Sequence, residues 1–263
     1  MAIEYEKLIT VLEEIAPPEL TESWDNSGVQ IYSGKKYIHC VLLTLEMNQQ
    51  VIDEAVAMKA DMIITHHPLI FGGIDSIDAA DKQTGSYIFQ LIGYEISVYS
   101  AHLTFDNAPK GNNWYLTQLL SLRDVCRPEG IADTMPGLLG YLEKPMAIEE
   151  VMKLVEQRLS LPEHYIRVVA EPGQIVETIG LCSGAGGDFL PWVLKERAQL
   201  LLTGDVRFHE AQEARAKGLA VIDAGHYGTE KIFGENFAKQ LKEKVGGRLQ
   251  IKETGANTNP YMI

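Results

Sequence analysis

Apolar and polar positions along the chain follow two alternating periods, and each switch between them marks a new element. From Ile3 to Ile15 the apolar residues Leu8, Ile9, Val11, Leu12 and Ile15 recur at helical spacing, and Pro17-Pro18 ends the run. A strand is predicted at Val29–Tyr32 and a stronger one at Tyr37–Leu45. Asn48–Met58 places Val51, Ile52, Ala55 and Val56 on one helical face. The unbroken Met62-Ile63-Ile64 reads as a short strand buried on both faces, which Pro68 stops. A helix at Thr84–Leu91 closed by Gly93, a strand at Ile96–Ser100 and a helix from Asn113 through Leu120 follow.

The stretch 124–136, with Pro128, Gly130 and Pro136, lacks either period and marks a domain boundary. Beyond it the pattern resumes. Strands are expected at Leu138–Leu142, Tyr165–Val169, Val176–Leu181, Leu200–Thr203, Ala220–Asp223 and Leu249–Lys252. Helices are expected at Ile148–Leu159, up to Arg197, at Phe208–Lys217 and along Thr229–Lys244. Strand–helix alternation of this kind predicts an α/β protein of mostly parallel sheets flanked by helices. Two lobes are expected: residues 1–124 together with 245–263, and residues 125–244.

The second series echoes the first. Asp61-Met-Ile-Ile-Thr-His-His67 resembles Gln199-Leu-Leu-Leu-Thr-Gly-Asp205, and Val98-Tyr-Ser-Ala-His-Leu-Thr-Phe-Asp106 resembles Ile222-Asp-Ala-Gly-His-Tyr-Gly-Thr-Glu230. Two matches in the same order point to duplicated α/β units.

Composition narrows the function classes. The 263 residues are 46% hydrophobic and 22% charged, as in ordinary soluble globular proteins. A net charge of −13 disfavours nucleic-acid binding, which needs a basic face. No apolar run reaches a membrane span, and the acidic start Met1-Ala-Ile-Glu-Tyr-Glu-Lys7 does not suit a signal peptide. Cys40, Cys126 and Cys182 are scattered and odd in number, so reduced thiols in a cytoplasmic protein are expected.

The chemistry concentrates just after predicted strands: His66-His67, His102 with Asp106, Asp205 with His209, and His226 with Glu230. In open parallel sheets ligands collect beyond the carboxyl ends of strands. Imidazole and carboxylate donors suit zinc, iron, manganese, cobalt or nickel. Adjacent histidines point apart on a regular strand, so His66 and His67 serve one site only if the strand has ended, or they bind separate ions. His226 and Glu230 share a face only if one helix holds both, and Gly228 leaves that open. Plainer readings stand beside these: a structural turn at His66-His67, and hydrogen-bonded pairs in the two His-x-x-x-carboxylate segments. His39 and His164 read as structural, and His209 as either support for the site or surface. Gly184–Gly187 lacks the P-loop lysine and reads as a tight strand–helix turn. Trp24-Asp-Asn-Ser-Gly28 reads as a turn with a buried indole, whose polar residues are available to line a cleft.

Five ordered motifs carry a family resemblance: Trp24-Asp-Asn-Ser-Gly28, Ile64-Thr-His-His-Pro-Leu-Ile-Phe71, Ala101-His-x-x-x-Asp106, Leu202-Thr-Gly-Asp205 and Gly225-His-x-x-x-Glu230. Together they resemble the GTP cyclohydrolase 1 type 2 homologue family, also called Nif-three-like, in its short form without a middle domain. The resemblance implies a two-lobed α/β chain and a dinuclear metal site in the cleft between the lobes. It also implies a ring-shaped homohexamer, a trimer of dimers. By motif, His66, His67, Asp106, His226 and Glu230 correspond to ligands of two divalent metal ions, and His102 to a residue beside them that either supports the ligands or carries protons. Glu46 stands where relatives usually have Asp, and Leu103-Thr104-Phe105 departs from the family's usual residues.

The leading expectation is therefore a metal-dependent hydrolase acting on a small molecule, with an activated water attacking carbon or phosphorus. The family name adds GTP ring opening, although resemblance transfers a site more safely than a substrate. A metal carrier or insertase, or a regulatory scaffold, is the alternative.

Overall fold

The buried apolar runs become the central strands of two sheets, and the amphipathic segments become the helices that cover them. A computed structural model describes residues 2–80 and 84–261 of the chain. The chain divides into two compact units, Met1–Gly111 with Phe233–Pro260, and Asn112–Ile232 with Tyr261–Ile263.

The first unit opens with β1 (Ile3–Glu4) and α1 (Tyr5–Ile15), which buries Leu8, Leu12 and Ile15 at helical spacing. Then come β2 (Gly28–Ile31), β3 (Tyr37–Ile38), β4 (Cys40–Thr44) and α2 (Gln49–Ala57). Asn48 caps α2, its Oδ1 accepting from the Val51 N–H at 3.0 Å. β5 (Met62–Thr65), α3 (Thr84–Gly93), β6 (Ser97–Ser100) and the single-turn α4 (Leu103–Asp106) complete the first pass. The unit is closed by a returning helix, Phe233–Val245, and a last strand, Gln250–Glu253. That strand, β4, β5 and β6 run parallel in this order, and β2 adds antiparallel to β6. Every residue of β4, β5 and β6 is buried, as expected of strands covered on both faces.

The second unit contains α5 (Asn112–Leu119), β7 (Arg123–Cys126), β8 (Leu138–Ala147), α6 (Ile148–Arg158), β9 (Arg167–Val169) and β10 (Ile175–Ala185). After these come α7 (Leu190–Lys195), β11 (Leu200–Gly204), α8 (Phe208–Ala216), β12 (Ala220–Asp223) and α9 (His226–Glu230). Its sheet runs β7-β8-β10-β11-β12-β9; β10, β11 and β12 are parallel, and the flanking pairings are antiparallel. The two units repeat one internal plan. Parallel neighbours β5 and β6 are joined through α3 and followed by α4, just as β11 and β12 are joined through α8 and followed by α9.

Several boundaries differ from the sequence reading for identifiable reasons. The strand expected at Tyr37–Leu45 breaks at His39, whose N–H turns to the Asp61 carboxylate at 2.7 Å. The long helix expected from Thr229 divides into α9 and Phe233–Val245. The break falls where Ile232 joins the core of the second unit and Phe233 joins the ring cluster of Phe105 and Phe237 in the first. The first unit thus takes in the whole helix Phe233–Val245, and the second begins with α5, whereas the sequence reading drew those boundaries at 244/245 and 124/125. The start of the stretch expected to be irregular, 124–136, is taken up by β7, which pairs with β8 as an edge strand. Among the described residues no helix is long and apolar enough to cross a membrane, and the three cysteines are free thiols.

Candidate metal centre

In the first unit β5 ends at Thr65, and the chain beyond it leaves the regular ladder while staying tied to the exit of β4. The His66 and His67 N–H groups donate to Thr44 and Leu45 oxygens at 3.1 and 3.0 Å. Because the regular strand has ended, the two imidazoles do not diverge, and their centroids lie 5.1 Å apart. β6 ends in parallel register beside them and delivers His102, whose ring lies 5.3 Å from that of His66 and 5.5 Å from that of His67. One ring nitrogen from each of the three histidines falls within a 4.8 Å set, close enough to hold a metal ion. The Ser100 hydroxyl, donating to His66 O at 2.8 Å, locks the exits of β5 and β6 together. Asp106, one turn along α4 from His102, brings its carboxylate to 3.6 Å from His66 Nε2. Phe233 backs His66, with ring centroids 5.0 Å apart.

Each imidazole is oriented through Nδ1. His66 Nδ1 meets the carbonyl of Ala101 at 2.8 Å, His67 Nδ1 the Glu46 carboxylate at 2.9 Å, and His102 Nδ1 the Asp25 carboxylate at 2.7 Å. A carbonyl or carboxylate at Nδ1 calls for a proton there, which leaves the Nε2 lone pair to ligate or to move protons. Asp25 has a buried side chain. Burial alone would raise its pKa, but hydrogen bonds from His102, Ser27 and Thr21 outweigh it and hold the carboxyl well below the usual range. Ser27 also accepts from the His102 N–H at 3.3 Å, so the Asp25–Ser27 turn fixes both the backbone and the ring of His102.

The second unit assembles a related set. The short helix α9 holds both His226 and Glu230, placing Nε2 3.0 Å from the carboxylate, so Gly228 does not break it. His226 Nδ1 meets the Asp205 carboxylate at 2.8 Å, repeating the pattern of the first unit. Asp205 itself adopts a left-handed φ of 52°, which Asp tolerates better than most residues. Asp223, at the end of β12, ties the two loops together by accepting from the Gly225 N–H at 3.0 Å and the Val206 N–H at 3.2 Å, with Arg167 paired to it. Gly184 has a φ of +65°, and a Cβ there would collide with the Glu230 carboxylate. The glycine turn is not a phosphate loop: its Gly184 and Gly186 N–H groups donate to the hydroxyls of Thr229 and Thr203, both at distances under 3 Å.

The structure therefore gathers His66, His67, His102 and Asp106 in one unit and His226 with Glu230 in the other. His209 is exposed on α8 beside Phe208, while Asp205 pairs with His226 instead. His39 and His164 are exposed and stand apart from the cluster. The indole of Trp24 is not buried as expected but 59% exposed, because the turn's inward position is taken by Asp25. The roles of Asp25, Glu46 and Asp223 as orienting groups escaped the sequence reading. Their only signal was a carboxylate placed in a turn or at a strand exit.

These donors fit divalent metal. They are nitrogen and carboxylate oxygen groups without thiolate, and four imidazoles hold their Nδ1 atoms engaged, as metal-ligating histidines do.

Comparison with known proteins agrees with the fold and motifs. A family model for Duf34/NIF3 (NGG1p interacting factor 3) matches residues 3–260. A Clostridium perfringens protein called GTP cyclohydrolase 1 type 2 homolog is 29% identical over 257 residues, 97% of each chain. A Nostoc protein of the same name is 34% identical over 240 residues, 89% of this chain and 90% of its own. A crystal structure of a Bacillus cereus protein related to NIF3 superposes with a TM-score of 0.91 at 21% identity, covering 99% of both chains. With the model spanning both units and all five motifs, the chain belongs to the Duf34/NIF3 family.

Proposed function

We propose that this chain is a metal-dependent hydrolase of the cytoplasm that binds two divalent ions through His66, His67, Asp106, His226 and Glu230. The observation that carries the reading is the common engagement of Nδ1 in His66, His67, His102 and His226 by a carbonyl or carboxylate, which orients each ring so that Nε2 is the nitrogen suited to ligation or proton transfer. Engaged donors of this kind favour ions that are retained over ions that are handed on, so catalysis is favoured over metal transfer. Relatives named GTP cyclohydrolase 1 type 2 homolog make GTP the first substrate to test. Assembly as a homohexamer, a trimer of dimers, is part of the proposal and is read by light scattering.

Bound divalent ions supply a lowered pKa for water and a Lewis acid for a substrate oxygen. The protein's part is to place and move protons. His102, held by Asp25 at Nδ1, presents Nε2 as the base that takes a proton from the attacking water and later returns it to the leaving group. The Asp25 carboxylate stays ionised through the cycle and favours the imidazolium that forms. Glu46 and Asp205 keep His67 and His226 in one orientation, so ligand geometry need not be reorganised on each turnover.

The test is hydrolysis of GTP and of simple phosphodiesters by pure, metal-loaded protein, with His67→Ala and Glu230→Ala as matched controls. Turnover in the parent and its loss in both variants is expected. Tightly held metal with no turnover, and ready transfer of that metal to an acceptor, would replace the hydrolase reading with a carrier.

A further inference from the structure

Two large aromatic side chains stand largely in solvent next to the histidine cluster of the first unit. Trp24 is 59% exposed and Phe71 57% exposed, yet their rings meet at 6.1 Å and 81°, an edge-to-face contact. Phe71 in turn stands at 90° to His102, with centroids 6.5 Å apart. A single exposed aromatic is ordinary. A contacting pair abutting a catalytic imidazole, drawn from segments 47 residues apart in sequence, is not. The segment before Phe71 is clamped by the turn that carries Trp24. The Ile70 carbonyl accepts from Asn26 Nδ2 at 2.7 Å, its N–H donates to Gln30 Oε1 at 3.0 Å, and Gln30 Nε2 donates to Asn26 O at 2.6 Å. Both backbone groups of Ile70 are thus spent on fixing where Phe71 emerges. Burying the two rings in the core would have contributed more to folding than leaving them exposed on a rigid frame.

We infer that Trp24 and Phe71 form a stacking platform that seats a planar heteroaromatic ring beside His102. The inference rests on the reading of the His66, His67 and His102 cluster as the reaction centre. A π-face binds any nitrogen heterocycle with little dependence on its substituents. Asn26 and Gln30 hold the frame through neutral amides engaged with each other and with Ile70, so the two rings themselves present the binding surface. Phe71, between Trp24 and His102, sets the distance from the seated ring to the imidazole and so makes the pair a determinant of specificity.

Calorimetry on full-length, zinc-loaded protein tests this, using GMP and AMP as probes and ribose phosphate as the ringless control. Both nucleotides are expected to bind more tightly than ribose phosphate. Trp24→Ala and Phe71→Ala are expected to weaken nucleotide binding by about 5- to 150-fold, with unchanged zinc content and melting temperature, and Trp24→Phe to keep most of the affinity. Equal affinity for nucleotides and ribose phosphate, no nucleotide binding, or alanine variants that bind like the parent would overturn the platform. Nucleotide binding that survives in protein unable to hold zinc would count against the metal reading alone and leave the platform standing.

Discussion

The Asp25 carboxylate sits 2.7 Å from His102 Nδ1, joining two residues 77 positions apart in the chain. This contact fixes which nitrogen of His102 carries the proton. Asp25→Asn keeps the shape but offers an amide that can donate, which favours the wrong tautomer. Turnover is expected to fall at least about 100-fold with metal content unchanged, as read by steady-state kinetics and elemental analysis on the same preparation. An unaltered kcat would remove His102 from proton transfer.

Glu46 and Asp205 act one step away from the proposed ions. Glu46→Ala frees the His67 ring, and Asp205→Ala frees that of His226. Each is expected to weaken zinc binding by about 10- to 100-fold in competition with a chromophoric chelator, with little change in thermal stability. Equal affinities in parent and variants would reduce these contacts to surface ion pairs.

Gly184→Ala tests the backing of Glu230. The substitution adds a Cβ at a left-handed φ of +65°, against the carboxylate. A loss of about 1–3 kcal/mol in urea unfolding is expected, together with reduced metal retention. Full stability with full metal content would show that Glu230 is not held by that turn.

Acid sensitivity follows from Asp61, which receives the His39 and Cys40 N–H groups and the Lys35 ammonium. Burial pushes its carboxyl up, but these partners outweigh it and lower the pKa. A carboxylate depressed in the folded state stabilises the fold above its unfolded pKa of about 4, and that contribution is lost as pH falls through the folded value. Asp61→Asn is expected to flatten the fall of melting temperature below about pH 4, measured by thermal scans in matched buffers. An identical acid slope in the variant would assign it to other carboxylates.

The parts of this molecule that leave a local mark are legible in its sequence. Met62–Thr65 and Ala220–Asp223 announce themselves as strands because they are buried on both faces, and His66, His67 and His226 stand out at their exits. The orienting carboxylates left no such mark. Asp25 reaches His102 across 77 residues and Glu46 reaches His67 across 21, and only the sheet order brings each pair within hydrogen-bond distance. The exposure of Trp24 is illegible in the sequence for a related reason. Apolarity predicts burial, but the turn had already committed its inward position to a carboxylate. The split between α9 and Phe233–Val245 was hidden because Ile232 and Phe233 are both apolar and continue the helical period while serving different cores.

Whether His66, His67, Asp106, His226 and Glu230 hold divalent metal, as proposed, is read by elemental analysis of purified protein after dialysis. Two equivalents per chain are expected in the parent and a clear loss in each of the five alanine variants, with the fold retained by circular dichroism. Less than one equivalent in the parent, with no increase after exposure to zinc, manganese, iron, cobalt or nickel, would contradict it.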